Sequence, residues 1–141
     1  MEDKLFVYGT LMSGFNNSFS ATLHKAVKKT VPAKIKGNLY VVTDWEFHYP
    51  VADFRPDTEQ YIYGELLYFN HSADLEQLFF QLDQYEGVDM TQPEKGEYVR
   101  KKIPVMHDTK TVFAFAYINN KYPINLAAVP HGNFRKYTEE M

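Results

Sequence analysis

The chain has 141 residues, 15 basic against 18 acidic side chains for a net charge of -3, and no cysteine. That length suits one domain with a buried core, and the charge excludes the clustered positive surface that nucleic acid requires. Without cysteine there is no disulfide framework, thiolate metal site or Cys nucleophile. No apolar run is long enough for a membrane helix, and the charged start MEDK does not read as a signal peptide. The expectation is a cytoplasmic protein with a single domain over 1–141. Eleven Tyr and eleven Phe against one Trp suit a strand-rich body.

Leu5 to Tyr8 is an apolar run stopped by Gly9, and reads as a central strand buried on both faces. Phe19, Leu23, Ala26 and Val27 fall at helical spacing and predict a short helix within 17–28. Ile35 to Val42 and Tyr49 to Phe54 read as strands. Tyr61 to Phe69 is a strand with little polar relief, in which Gly64 marks a bulge or a close approach. The clearest helix spans 72–86. Ser72 is a candidate N-cap, Asp74 and Glu76 suit the positive end of the dipole, Leu75, Leu78, Phe79 and Leu82 form one stripe, and Gly87 stops it. Tyr98–Val105 and Thr111–Ile118 then read as a hairpin joined by 106–110, and the tail from Pro123 to Met141 shows no period. Strands with two inserted helices make the fold class α+β.

The five His residues (24, 48, 71, 107 and 131) show no HxH or HExxH spacing, and no GxSxG surrounds a Ser. A metal centre and a serine triad therefore lack support, and no metal ligand is expected. A carboxylate remains as the acid–base group. Glu86 lies eleven residues past Leu75, roughly 20° from the same stripe, in the last turn. Burial and the negative end of the dipole there both favour a raised pKa, as a general base near neutral pH needs. An exposed acid at a frayed helix end is the simpler alternative. Asp83, about 80° off the stripe, either orients Glu86 or serves a structural role. Glu65, set within YIYGELLYF, is the rival acid, with pairing to a Lys or Arg as its plainer fate. Tyr8-Gly9-Thr10-Leu11 closes the first strand in a turn whose N–H groups can converge on an anion.

LFVYGTLM, YPVADF…YIYGELLYF, LDQYEGV and EYVRKKIPV, in that order, resemble the gamma-glutamylcyclotransferase-like family, which includes AIG2-like proteins and gamma-glutamylamine cyclotransferases. The resemblance implies a compact mixed β-barrel-like sheet holding a gamma-glutamyl group. It implies Glu86 as catalytic acid and Tyr8, Gly9, Thr10 and Leu11 as the substrate-binding loop. Tyr98 and Arg100 match a later Y-x-R strand, and Tyr117 is expected to line the same cavity. The implied activity is metal-independent cyclisation of a gamma-glutamyl amine or amide to 5-oxoproline with release of the amine, using no cofactor and a small-molecule substrate as partner. The alternatives are a gamma-glutamyl deprotecting enzyme of a biosynthetic pathway and a non-catalytic small-ligand binding protein on the same fold.

Overall fold

Each strong apolar run becomes an element. Along the chain lie β1 (Lys4–Val7), α1 (Ser18–Lys25), β2 (Val27–Asp44), β3 (Phe47–Phe54), β4 (Tyr61–Phe69), α2 (Leu75–Glu86), β5 (Tyr98–His107), β6 (Lys110–Asn119), β7 (Leu126–Ala128) and α3 (Phe134–Glu139). The structure is a computed structural model that describes residues 3–9, 12, 18–44, 47–55, 57–89, 91–92, 95–96, 98–119, 126–129 and 132–139. Five strands close into a barrel in the order β1–β4–β2–β5–β6. The β1–β6 pair is parallel and the other pairs antiparallel. The fold is thus α+β, a mixed barrel with extra strands and, among the described residues, three short helices.

β1 is central, between β4 and β6, and Leu5, Phe6 and Val7 are all buried. At Gly64 β4 comes close to it: a Cβ there would collide with the Val7 carbonyl oxygen. The position marks a close approach, and every residue with a side chain would push the two strands apart.

β2 is 18 residues long and begins well before Ile35. Val31, Ala33, Ile35, Leu39 and Val41 are buried while Lys34, Lys36, Asn38 and Tyr40 are less so, an alternation that the lysines and Pro32 disguise. Its first half pairs with β4, and its second half with β3 on one side and β7 on the other. The barrel seam is the pairing of Lys34 with Met106. Within the aperiodic tail β7 adds to β2, and α3 buries Phe134.

α2 starts later than Ser72. Ala73 N–H bonds to Asn70 O at 3.1 Å, so Ser72 lies inside a turn. Asp74 is the N-cap, its carboxylate accepting the Gln77 N–H at 3.1 Å, which satisfies one of the helix's open donors. At the other end Gly87 has φ 74. Its N–H reaches Gln84 O at 3.2 Å, and Val88 N–H reaches Asp83 O at 2.8 Å, the paired bonds of a Schellman motif. Leu78, Phe79 and Leu82 are buried. Phe79 meets Phe69 of β4 and Phe115 of β6 edge to face, with centroids 5.9 and 5.3 Å away, so α2 is seated across the barrel wall. The β5–β6 hairpin turns at Asp108 and Thr109, with Asp108 left-handed at φ 54. Among the described residues no helix is long and apolar enough to cross a membrane.

Candidate functional site

Parallel pairing brings the C-terminal ends of β1 and β6 together, and the antiparallel hairpin adds the start of β5 beside them. Tyr8 follows β1, is buried, and stacks on Phe6 with centroids 6.2 Å apart. Its hydroxyl donates to the Tyr117 carbonyl, which ties the chain leaving β1 to β6. Gly9 comes next: a Cβ there would sit 2.5 Å from Pro50 Cγ, and its carbonyl accepts the Met12 N–H at 3.0 Å. The glycine lets this tight turn pass against β3. Thr10 and Leu11 lie outside the described residues. Tyr98 opens β5 and donates its hydroxyl to the Pro50 carbonyl at 3.1 Å. Pro50 thus touches the Gly9 turn and anchors Tyr98.

Across the hairpin Arg100 stands opposite Tyr117. The Tyr117 hydroxyl donates to Asp83 Oδ1 at 2.7 Å, and Arg100 Nε lies 3.5 Å from the same oxygen. The guanidinium carbon is 4.7 Å from the Phe79 ring centre and 4.9 Å from that of Phe115, within the range of a cation–π contact. Burial pushes the Tyr117 phenol far above its ordinary value; the hydrogen bond to Asp83 and the charges of Asp83 and Glu86 push the same way, and Arg100 opposes them. The phenol is therefore protonated at neutral pH and donates to Asp83. Glu86 is half-buried in the last turn of α2, one turn beyond Asp83, and its charge is felt at Tyr117.

The structure thus gathers Tyr8, Gly9, Tyr98, Arg100, Tyr117 and Glu86 about one end of β1 and β6 and the end of α2. Asp83, expected at the flank of its helix, is buried. The inward face centres on Phe79 rather than Leu75, and Asp83 follows Phe79 by four residues, about 40° around the helix. That spacing was a signal in the sequence; the partners across the barrel were not. Pro50 stands in the YPVADF segment, but no sequence pattern assigned it a role in the site. Glu65 pairs in register with Val7, but its Oε2 turns to Arg135, 3.6 Å from Nη2, on an open cavity of about 510 Å³ that Met12, Lys34 and Tyr63 also line. Arg55 is exposed and paired to Asp53 at 2.7 Å.

The family model described as gamma-glutamyl cyclotransferase, AIG2-like, matches residues 5–136. The chain belongs to this family. The matched span takes in every residue of the site just described. Among solved structures, YkqA from Bacillus subtilis has a TM-score of 0.68 at 23% identity, over 99% of this chain and 42% of that one. An AIG2-like protein from Mus musculus has a TM-score of 0.62 at 21% identity, over 94% of both chains. Kluyveromyces lactis allophanate hydrolase reaches 0.67 at 14% identity, over 99% of this chain and 21% of that one. These likenesses show the fold. This family member spans less than half of the Bacillus subtilis chain and nearly all of the mouse one. No curated protein matches it.

Proposed function

We propose that this protein cyclises a gamma-glutamyl amine or amide to 5-oxoproline and releases the amine, with Glu86 as the general acid and base. The supporting observation is the placement of Glu86: half-buried, at a helix end fixed by a Schellman motif, one turn past Asp83, to which the buried Tyr117 hydroxyl donates, in a chain of the gamma-glutamyl cyclotransferase family.

The substrate carries its own nucleophile. Glu86 takes a proton from the alpha-ammonium, and the freed amine attacks the gamma-carbonyl carbon to form the ring N–C bond. Backbone N–H groups of Gly9, Thr10 and Leu11 hold the oxyanion, each good donor contributing about 3–4 kcal/mol. Collapse breaks the bond to the leaving nitrogen, which receives by way of Glu86 both the proton taken before attack and the one the ring nitrogen sheds after it, and departs as the ammonium. Atoms balance without water: one gamma-glutamyl amide gives one 5-oxoproline and one amine. Folding the substrate for this attack can supply on the order of 7–11 kcal/mol, and the proton shuttle roughly 10²–10⁴-fold. Tyr8, Tyr98, Tyr117 and Arg100 shape the pocket around these steps.

The test is a panel of gamma-glutamyl compounds (dipeptides, glutathione, the epsilon-lysine isopeptide, polyamine and aminoglycoside conjugates) assayed for 5-oxoproline, with the N-acetyl derivative of each active compound beside it. The active compound releases 5-oxoproline and its N-acetyl derivative does not react. Release of N-acetylglutamate would make water the nucleophile and overturn the cyclisation.

A further inference from the structure

Asp83 takes no part in the proton transfers above, yet its carboxylate is buried where a stripe of Leu and Phe would accept another apolar residue. Taking an acid out of water costs several kcal/mol, and a well-packed hydrophobic residue is often as stable or more so. Stability alone is a poor reason for the acid, so its contacts must supply another.

We infer that Asp83 is a positioning residue: through Tyr117 it ties the α2 turn that carries Glu86 to Tyr8 and the Gly9 turn, with Arg100 holding it in place. The connection is unbroken. The Tyr8 hydroxyl donates to the Tyr117 carbonyl, the Tyr117 hydroxyl donates to Asp83 Oδ1 at 2.7 Å, and Glu86 follows one helical turn later. The main chain of Asp83 acts at the same place, since its carbonyl accepts the Val88 N–H at 2.8 Å and closes the turn behind Glu86. Arg100 faces the same Oδ1 at 3.5 Å, and its guanidinium contacts Phe79 of α2 and Phe115 of β6. The acid and the oxyanion turn lie on different elements, far apart in sequence, and this relay sets the distance between them. A misplacement of about 1 Å at such a site costs on the order of 10²-fold in rate.

The inference rests on Glu86 being the acid–base group, and its test separates the two claims. Asp83→Asn, Tyr117→Phe and the double variant are assayed for 5-oxoproline release, and the Glu86 side-chain carboxyl is followed by ¹³C NMR, its resonance assigned by its loss in Glu86→Gln. Each single variant is expected to lose about 10–100-fold in kcat with KM within about threefold. The double variant loses no more than the worse single, because both break one path. The Glu86 resonance shifts in both. Losses that multiply in the double variant, a loss carried by KM, or a Glu86 resonance left at its wild-type position in a folded variant would each overturn the relay. Should Asp83→Asn fail to fold, Tyr117→Phe, which keeps the ring in place, decides by the same readouts. If the wild-type protein turns over nothing in the panel, the proposed activity fails, while the relay still stands or falls on the Glu86 resonance.

Discussion

Removing one oxygen, in Tyr117→Phe, gives a stability effect whose size and pH dependence both follow from the site. The ring is 4% exposed and Phe fills the same space, so no cavity forms. The loss is the hydrogen bond to the Asp83 carboxylate at 2.7 Å, and bonds to a charged group contribute about 1.5–3 kcal/mol. Arg100 remains 3.5 Å from that carboxylate, which keeps the cost below the roughly 3–5 kcal/mol of an abandoned buried charge. About 2 kcal/mol near pH 8 is expected. With an unfolding entropy of about 0.3 kcal/mol/K for a chain of this length, Tm falls by about 7 °C. At alkaline pH the difference narrows. The unfolded phenol ionises near 10.0, whereas burial keeps the folded one protonated well above that. Above pH 10 the unfolded state therefore binds fewer protons, and the wild-type loses about 1.4 kcal/mol per pH unit from this residue. By pH 11 the deficit of the Phe variant should shrink to about 0.6 kcal/mol. Urea unfolding of both proteins at pH 8, 10 and 11 measures it. A deficit below about 0.5 kcal/mol at pH 8, or one that stays constant to pH 11, refutes the reasoning.

Glu86→Gln keeps the shape of the acid but cannot accept a proton, so kcat in the 5-oxoproline assay should drop about 10²–10⁴-fold with an unchanged melting curve. Glu65→Gln, on the Arg135 side of β4, should turn over within about threefold of wild-type, and the reverse outcome for the pair would assign the chemistry to the wrong acid. Gly64→Ala drives a methyl against the Val7 carbonyl and should cost at least about 1–3 kcal/mol; thermal melting checks it. Asp74→Ala removes the cap on Gln77 N–H, for a loss of about 1 kcal/mol in urea unfolding.

The parts of this protein that sequence determines are those whose cause is local. Leu5 to Val7 has no polar face to show to water, so it becomes a strand between two others. Leu78, Phe79 and Leu82 repeat at helical spacing, and Gly87 offers the positive φ that ends α2 just past Glu86. YGTL and LDQYEG, taken as a pair, are the most specific part of the family resemblance. Tertiary structure decided everything that depends on what lies opposite. β2 runs to 18 residues because β4, β3 and β7 pair along it, although Pro32 and the lysines around it weaken the local pattern. Within the tail, β7 forms against β2 and Phe134 of α3 enters the core. Whether Asp83 was a surface acid or a buried one turned on Tyr117 and Arg100, 34 residues away in the first case. Helical spacing from Phe79 turns Asp83 inward, but no periodicity names the partners it meets there, because they arrive only when the barrel closes.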